Sequence, residues 1–136
     1  MKTWGKELIV DLDKCDILMI RSLSNIQQFI DELLLKTDMK AMCPMHSFYL
    51  PDTPENREKG IVGWSICQFI QTSSVVGHFC EDSDKGYGTM YLNFFSCKDF
   101  FKADVEDLCK KYFKGRIRNS TFIRRDATCS DFIIQS

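Results

Sequence analysis

The sequence predicts an α+β fold, a two-layer sandwich in which an antiparallel or mixed sheet carries two helices on one face. Three observations lead there. Two segments, 22–36 and 104–113, place apolar residues at helical spacing. Around and between them lie short apolar or alternating runs of strand type, giving the order β-α-β-β-β-β-α-β. At 136 residues, 44% of them hydrophobic, the chain has the material for a single domain (1–136) with a core that needs no metal or disulfide staple.

Residues 6–12 (KELIVDL) read as a buried strand stopped by the turn-like 13–16. Ser22 or Ser24 is placed to cap the first helix, where Ile26, Phe29, Ile30, Leu33 and Leu34 form the apolar stripe and Gln27, Gln28, Asp31 and Glu32 face outward. That helix ends near 36–38. A second strand covers 41–50, interrupted by Pro44, and the polar run 51–60 reads as an exposed loop because of its two prolines and its glycine. Residues 61–70 are nearly all apolar, as in a strand covered on both faces.

A turn at 71–74 leads to a short strand at 75–80, and 81–88, with two glycines, reads as a loop. In the strand 89–97, alternation sets Tyr91, Asn93, Phe95 and Cys97 against Met90, Leu92, Phe94 and Ser96. The second helix, 104–113, has its acids first and its lysines last, as the helix dipole prefers, and Gly115 is placed to end it. A last strand covers 116–125; the tail beyond it carries no assignment.

Charge and composition exclude several function classes. With 18 basic and 19 acidic side chains, net charge −1, the chain lacks a nucleic-acid footprint. The cluster Arg116, Arg118, Arg124 and Arg125 suits a solvated face, or the carboxylate or phosphate of a small ligand. No apolar run has the length of a membrane span and no signal-peptide core is visible. The seven cysteines are odd in number and include no C-x-x-C pair, which fits reduced thiols in the cytoplasm. Cys43 and His46 do not have the spacing of the usual zinc motifs.

Chemistry-bearing residues concentrate in 63–97, which holds Ser65, Ser73, Ser74, Cys97 and one of only two histidines, His78. Taken by themselves they have ordinary uses. Ser73-Ser74 suits a turn, His78 a hydrogen-bonded rim position, and Cys97 a small buried hydrophobe. Ser65, inside an apolar strand, needs a hydrogen-bond partner.

Their order along the chain is more specific. Gly5-Lys6-x-Leu8-Ile9-Val10-Asp11-Leu12-x-x-Cys15-Asp16 resembles the opening of the small, prokaryotic-type S-adenosylmethionine decarboxylases. His46-Ser47-Phe48 is similar to their His-x-Phe strand, Leu92-Asn93-Phe94-Phe95-Ser96-Cys97 to their Asp-x-Phe-Thr-Cys strand, and 102–125 to their closing helix and strand. The resemblance covers roughly residues 1–126. It implies an enzyme that cuts its own chain before a serine, converts that serine to a pyruvoyl group, and decarboxylates a small adenosyl-sulfonium or related amino-acid substrate in polyamine (spermidine) synthesis. It also implies an assembly of at least two copies with pockets near the interface.

Carried over by position, the resemblance makes Ser73 the pyruvoyl precursor, His78 the base that drives the elimination, Ser65 an aid to processing and Cys97 the proton donor to the product. Phe48 matches a ring that packs on the adenine, and Asp82 a carboxylate that holds the ribose. Thr72 and Ser74, flanking the cut and the substrate, stand where the family has glutamate and histidine. Phe79-Cys80-Glu81 replaces a Thr-aromatic-Pro run, and about four residues are added between Asp82 and Cys97. Two other readings therefore stand beside the decarboxylase. One is an uncleaved enzyme of the same fold, a lyase on S-adenosylmethionine or a nucleotide conjugate of it. The other is a non-catalytic partner subunit.

Overall fold

Alternation in the first strand sets the layout of the computed structural model, which describes residues 4–128 and 133–135. β1 (Trp4–Asp16) buries Leu8, Val10 and Leu12 on one face and leaves Glu7, Ile9 and Asp11 half-buried on the other. It lies inside a seven-stranded antiparallel sheet of order β2-β3-β4-β5-β1-β6-β7. The strands are β2 (His46–Leu50), β3 (Gly63–Ile70), β4 (Ser73–Asp82), β5 (Tyr87–Ser96), β6 (Arg116–Asp126) and β7 (Ile133–Gln135).

Helices α1 (Ile17–Arg21), α2 (Leu23–Lys36) and α4 (Lys102–Phe113) share one core with the inward face of the sheet. Ser22 caps α2 by accepting from the Asn25 N–H at 3.1 Å, and the five apolar residues of the expected stripe are all buried. Phe113 of α4 packs against Phe29 of α2 and Phe79 of β4, with ring centroids 5.0 and 5.1 Å apart. Each such ring contributes roughly 1.5–3 kcal/mol by leaving water. The α+β sandwich is as expected, and its sheet is antiparallel.

Several elements differ from expectation. α1 is a five-residue helix capped by the Asp16 side chain, too short to show a period. Residues 51–60 contain α3 (Pro54–Lys59), with Thr53 as N-cap, Pro54 in the first turn and Gly60 left-handed after the end (φ 67°). The same prolines and glycine that suggested a loop are a complete set of helix boundary signals. β2 is confined to Pro44's far side, while Ala41 makes one bridge to Ile70. β3 is covered on one face only, leaving Phe69 53% exposed.

β4 runs on to Asp82, so Glu81 is strand and not loop. Lys114, not Gly115, adopts the left-handed conformation after α4 (φ 56°). Gly115 is needed for another reason: a Cβ there would lie 2.7 Å from the Asp13 carbonyl oxygen.

Candidate active site

In antiparallel strands, residues directly opposite each other share a face, about 4.5–5.5 Å apart. The register therefore draws a row across the helix-free face of the sheet. Phe48 stands opposite Ser65, Ser65 opposite His78, His78 opposite Tyr91, Tyr91 opposite Asp11, and Asp11 opposite Asn119. Ser65 Oγ lies 2.8 Å from His78 Nδ1, which supplies the partner that a strand serine requires. Phe48 is 64% exposed at the end of the row. Ser65, His78 and Tyr91 line a cavity of about 320 Å³ whose other walls include Leu50, Ile61 and Trp64.

A second group gathers where the β3–β4 hairpin meets the end of β5. Gln71 and Thr72 form its two-residue loop, with Thr72 left-handed (φ 53°). A β-branched residue pays about 1–2 kcal/mol for that conformation. Ser73, 7% exposed, accepts a hydrogen bond from the Cys97 N–H at 3.0 Å, and its Oγ is 3.5 Å from Cys97 Sγ. The Thr72 hydroxyl is 2.9 Å from the same sulfur and 2.7 Å from the Gln71 carbonyl. Thr72, Ser73 and Cys97 border a cavity of about 540 Å³ together with Asp38, Lys40 and Lys98. Lys98 Nζ donates to the Asp38 carbonyl at 2.7 Å, fastening the loop after α2 to this rim.

The two groups are separate within one chain. His78 is five residues beyond Ser73 on an extended strand, roughly 17 Å away. Odd spacing also sends their side chains to opposite faces, Ser73 inward and His78 outward. Ser74 shares the face of His78, opposite Phe69 and Phe95. Asp82, at the far end of β4, lines a third cavity of about 310 Å³ with Glu81, Asp84 and Arg57. Ser73, Thr72 and Cys97 are thus brought together, Ser65, His78 and Phe48 share the row, and Asp82 lies beyond it.

The match that orders these residues spans nearly the whole chain: the family model for S-adenosylmethionine decarboxylase covers residues 6–126. The chain belongs to the S-adenosylmethionine decarboxylase family. Comparison with curated proteins gives no match. Membership accounts for the α+β sandwich and supports a carboxy-lyase type of activity on a small molecule. Among the described residues no helix is long and apolar enough to cross a membrane.

This member of the decarboxylase family also has a buried carboxylate that the sequence did not single out. The Glu81 side chain, 2% exposed, accepts from Arg21 Nε at 2.8 Å and from the Tyr49 hydroxyl at 3.0 Å. Burial, and then the hydrogen bond to Glu81, raise the Tyr49 pKa above the usual tyrosine value. The same carboxylate raises that of Arg21. Trp64 Nε1 donates to the Arg21 carbonyl at 2.9 Å, so α1, β2, β3 and β4 are tied at one point. The available signal was alternation: Glu81 is two residues from Phe79 and so points inward with it.

Proposed function

We propose that the chain is a pyruvoyl-dependent decarboxylase of S-adenosylmethionine or a related amino acid, activated by cleavage between Thr72 and Ser73 and feeding polyamine synthesis. The observation that carries this is the convergence of three groups on one cavity. These are the left-handed Thr72, whose carbonyl is the one to be attacked, the Ser73 hydroxyl, and the Cys97 thiol 3.5 Å from it. Non-glycine residues at positive φ persist where the surroundings enforce them, often at reacting sites. Attack by Ser73 Oγ on the Thr72 carbonyl forms a C–O bond, breaks the peptide C–N bond and relieves the left-handed turn.

Removal of the Ser73 α-proton then expels the Thr72 carboxylate, and water replaces the nitrogen as ammonia. The residues present fit a pyruvoyl group formed in this way. Such a group supplies a ketone that withdraws electrons as carbon dioxide leaves. Cys97 returns a proton to the product carbon, a role its 3.5 Å approach to Ser73 Oγ supports. His78 is too far from Ser73 in the same chain, so the base comes from a second copy, its orientation held by Ser65. Phe48 and Asp82 serve the adenine and the ribose.

A second reading is favoured by a specific observation. The Ser65–His78 pair is complete in itself and faces a cavity that does not involve Ser73. Thr72 and Ser74 stand where the family's processing residues would be. An uncleaved lyase acting on S-adenosylmethionine or a nucleotide conjugate of it needs only such a base and a departing thioether.

Product analysis separates the two. For the decarboxylase, S-adenosylmethionine labelled in its carboxyl group releases labelled carbon dioxide, and Ser73→Ala abolishes the release. Continued release from Ser73→Ala contradicts it. Formation of methylthioadenosine that survives Ser73→Ala and is lost in His78→Ala establishes the lyase instead.

A further inference from the structure

Two adjoining cavities at the Asp82 end of the sheet share Cys80 and Tyr91 as a common wall. One, of about 320 Å³, offers the apolar sides of Leu50 and Ile61 beside the Ser65–His78 pair. The other, of about 310 Å³, presents Asp82 and Asp84, with Arg57, itself paired with Asp52, on its rim. Tyr91 stands between them. Its neighbours on the same face are both engaged, His78 with Ser65 at 2.8 Å and Asp11 with Asn119 at 2.9 Å. Tyr91 itself is 47% exposed, and its hydroxyl has no hydrogen-bond partner among the described residues. It lies just outside the run 92–97 on which the family resemblance rests.

A phenol with no partner among the described residues, at the junction of an apolar and an acidic compartment, is equipped to meet a ligand with both characters. We propose that Tyr91 is a substrate-binding residue whose hydroxyl hydrogen-bonds to the sugar of a nucleoside sulfonium or thioether lying across both cavities. The base rests against Leu50 and Ile61, and the sugar lies between the Tyr91 hydroxyl and the Asp82 carboxylate. Together the cavities fall within the ~300–1,000 Å³ usual for sites of this kind. The assignment rests on the substrate class proposed above, and it holds whether the enzyme acts as a decarboxylase or as a lyase, because it concerns binding alone.

The test is calorimetric titration of the full chain with methylthioadenosine and, separately, with adenine, which lacks the sugar. Tyr91→Phe removes only the hydroxyl and keeps the ring. It is expected to weaken methylthioadenosine about 5- to 10-fold, the usual effect of one uncharged hydrogen bond, and to leave adenine unchanged. Equal affinity of both proteins for methylthioadenosine overturns the assignment, as does an equal loss for adenine, which reports a disturbed cavity rather than a missing bond. If the wild-type protein binds neither probe, the proposed substrate class falls and Tyr91's role falls with it.

Discussion

At the scale of single residues, burial decides what each thiol can do. Cys15 and Cys109 are fully buried, and desolvation pushes both thiols from 9.0 up to about 12. A folded-state pKa above the unfolded one means that the native protein holds its proton longer. The stability these groups contribute is whole below pH 9 and is lost as pH climbs toward 12. Thermal unfolding followed across that interval should show the decline, and a Cys15→Ala/Cys109→Ala double variant should show a shallower one. An equally steep decline in the double variant contradicts the assignment. Cys97 differs from both, standing half-buried between Thr72, Ser73 and a cavity. Sequence distinguished it only through its place at the end of a family-like strand, since a cysteine's surroundings are a property of the fold. Ser65 was more legible: a hydroxyl in an apolar strand demands a partner, and register supplies His78.

At the scale of elements, legibility followed length and period. α2 was readable from its five-residue apolar stripe and its serine cap. α3 was not, because a six-residue helix with no buried residue is specified by Thr53, Pro54 and Gly60 alone, which composition assigns equally to a loop. The length of β4 was missed for a related reason. Glu81 and Asp82 look like loop residues until Arg21 and Tyr49, distant in sequence, provide partners for an inward carboxylate. β3 depends on a backbone feature of comparable subtlety. Gly63 has φ 134°, and a Cβ there would meet the Phe79 carbonyl oxygen of β4 at 1.8 Å. Gly63→Ala should therefore spread the β3–β4 pair where it carries Ser65 and His78, costing at least ~2 kcal/mol. Chemical denaturation checks this, and a midpoint equal to that of the wild type contradicts it.

At the scale of the whole molecule, the sheet has one face filled by helices and one face carrying the row from Phe48 through Ser65, His78 and Tyr91 to Asp11. The sequence disclosed the two long helices and the run of strands between them, because both follow from local apolar patterns, while the sheet order came only with the fold. It could not disclose that Ser73 and His78 point to opposite faces, since that depends on where β4 begins and how it is paired. That separation sharpens the central question. The hairpin loop, Ser73 and Cys97, proposed to carry the cleavage, stand at one end of β4, while His78, proposed as the base, stands about 17 Å along the strand. The most direct measurement is the intact mass of freshly purified, active protein. Cleavage before Ser73 predicts two pieces of 72 and 64 residues, the second beginning with pyruvate in place of serine. A single species with the mass of all 136 residues, in a preparation that turns over substrate, contradicts the pyruvoyl account.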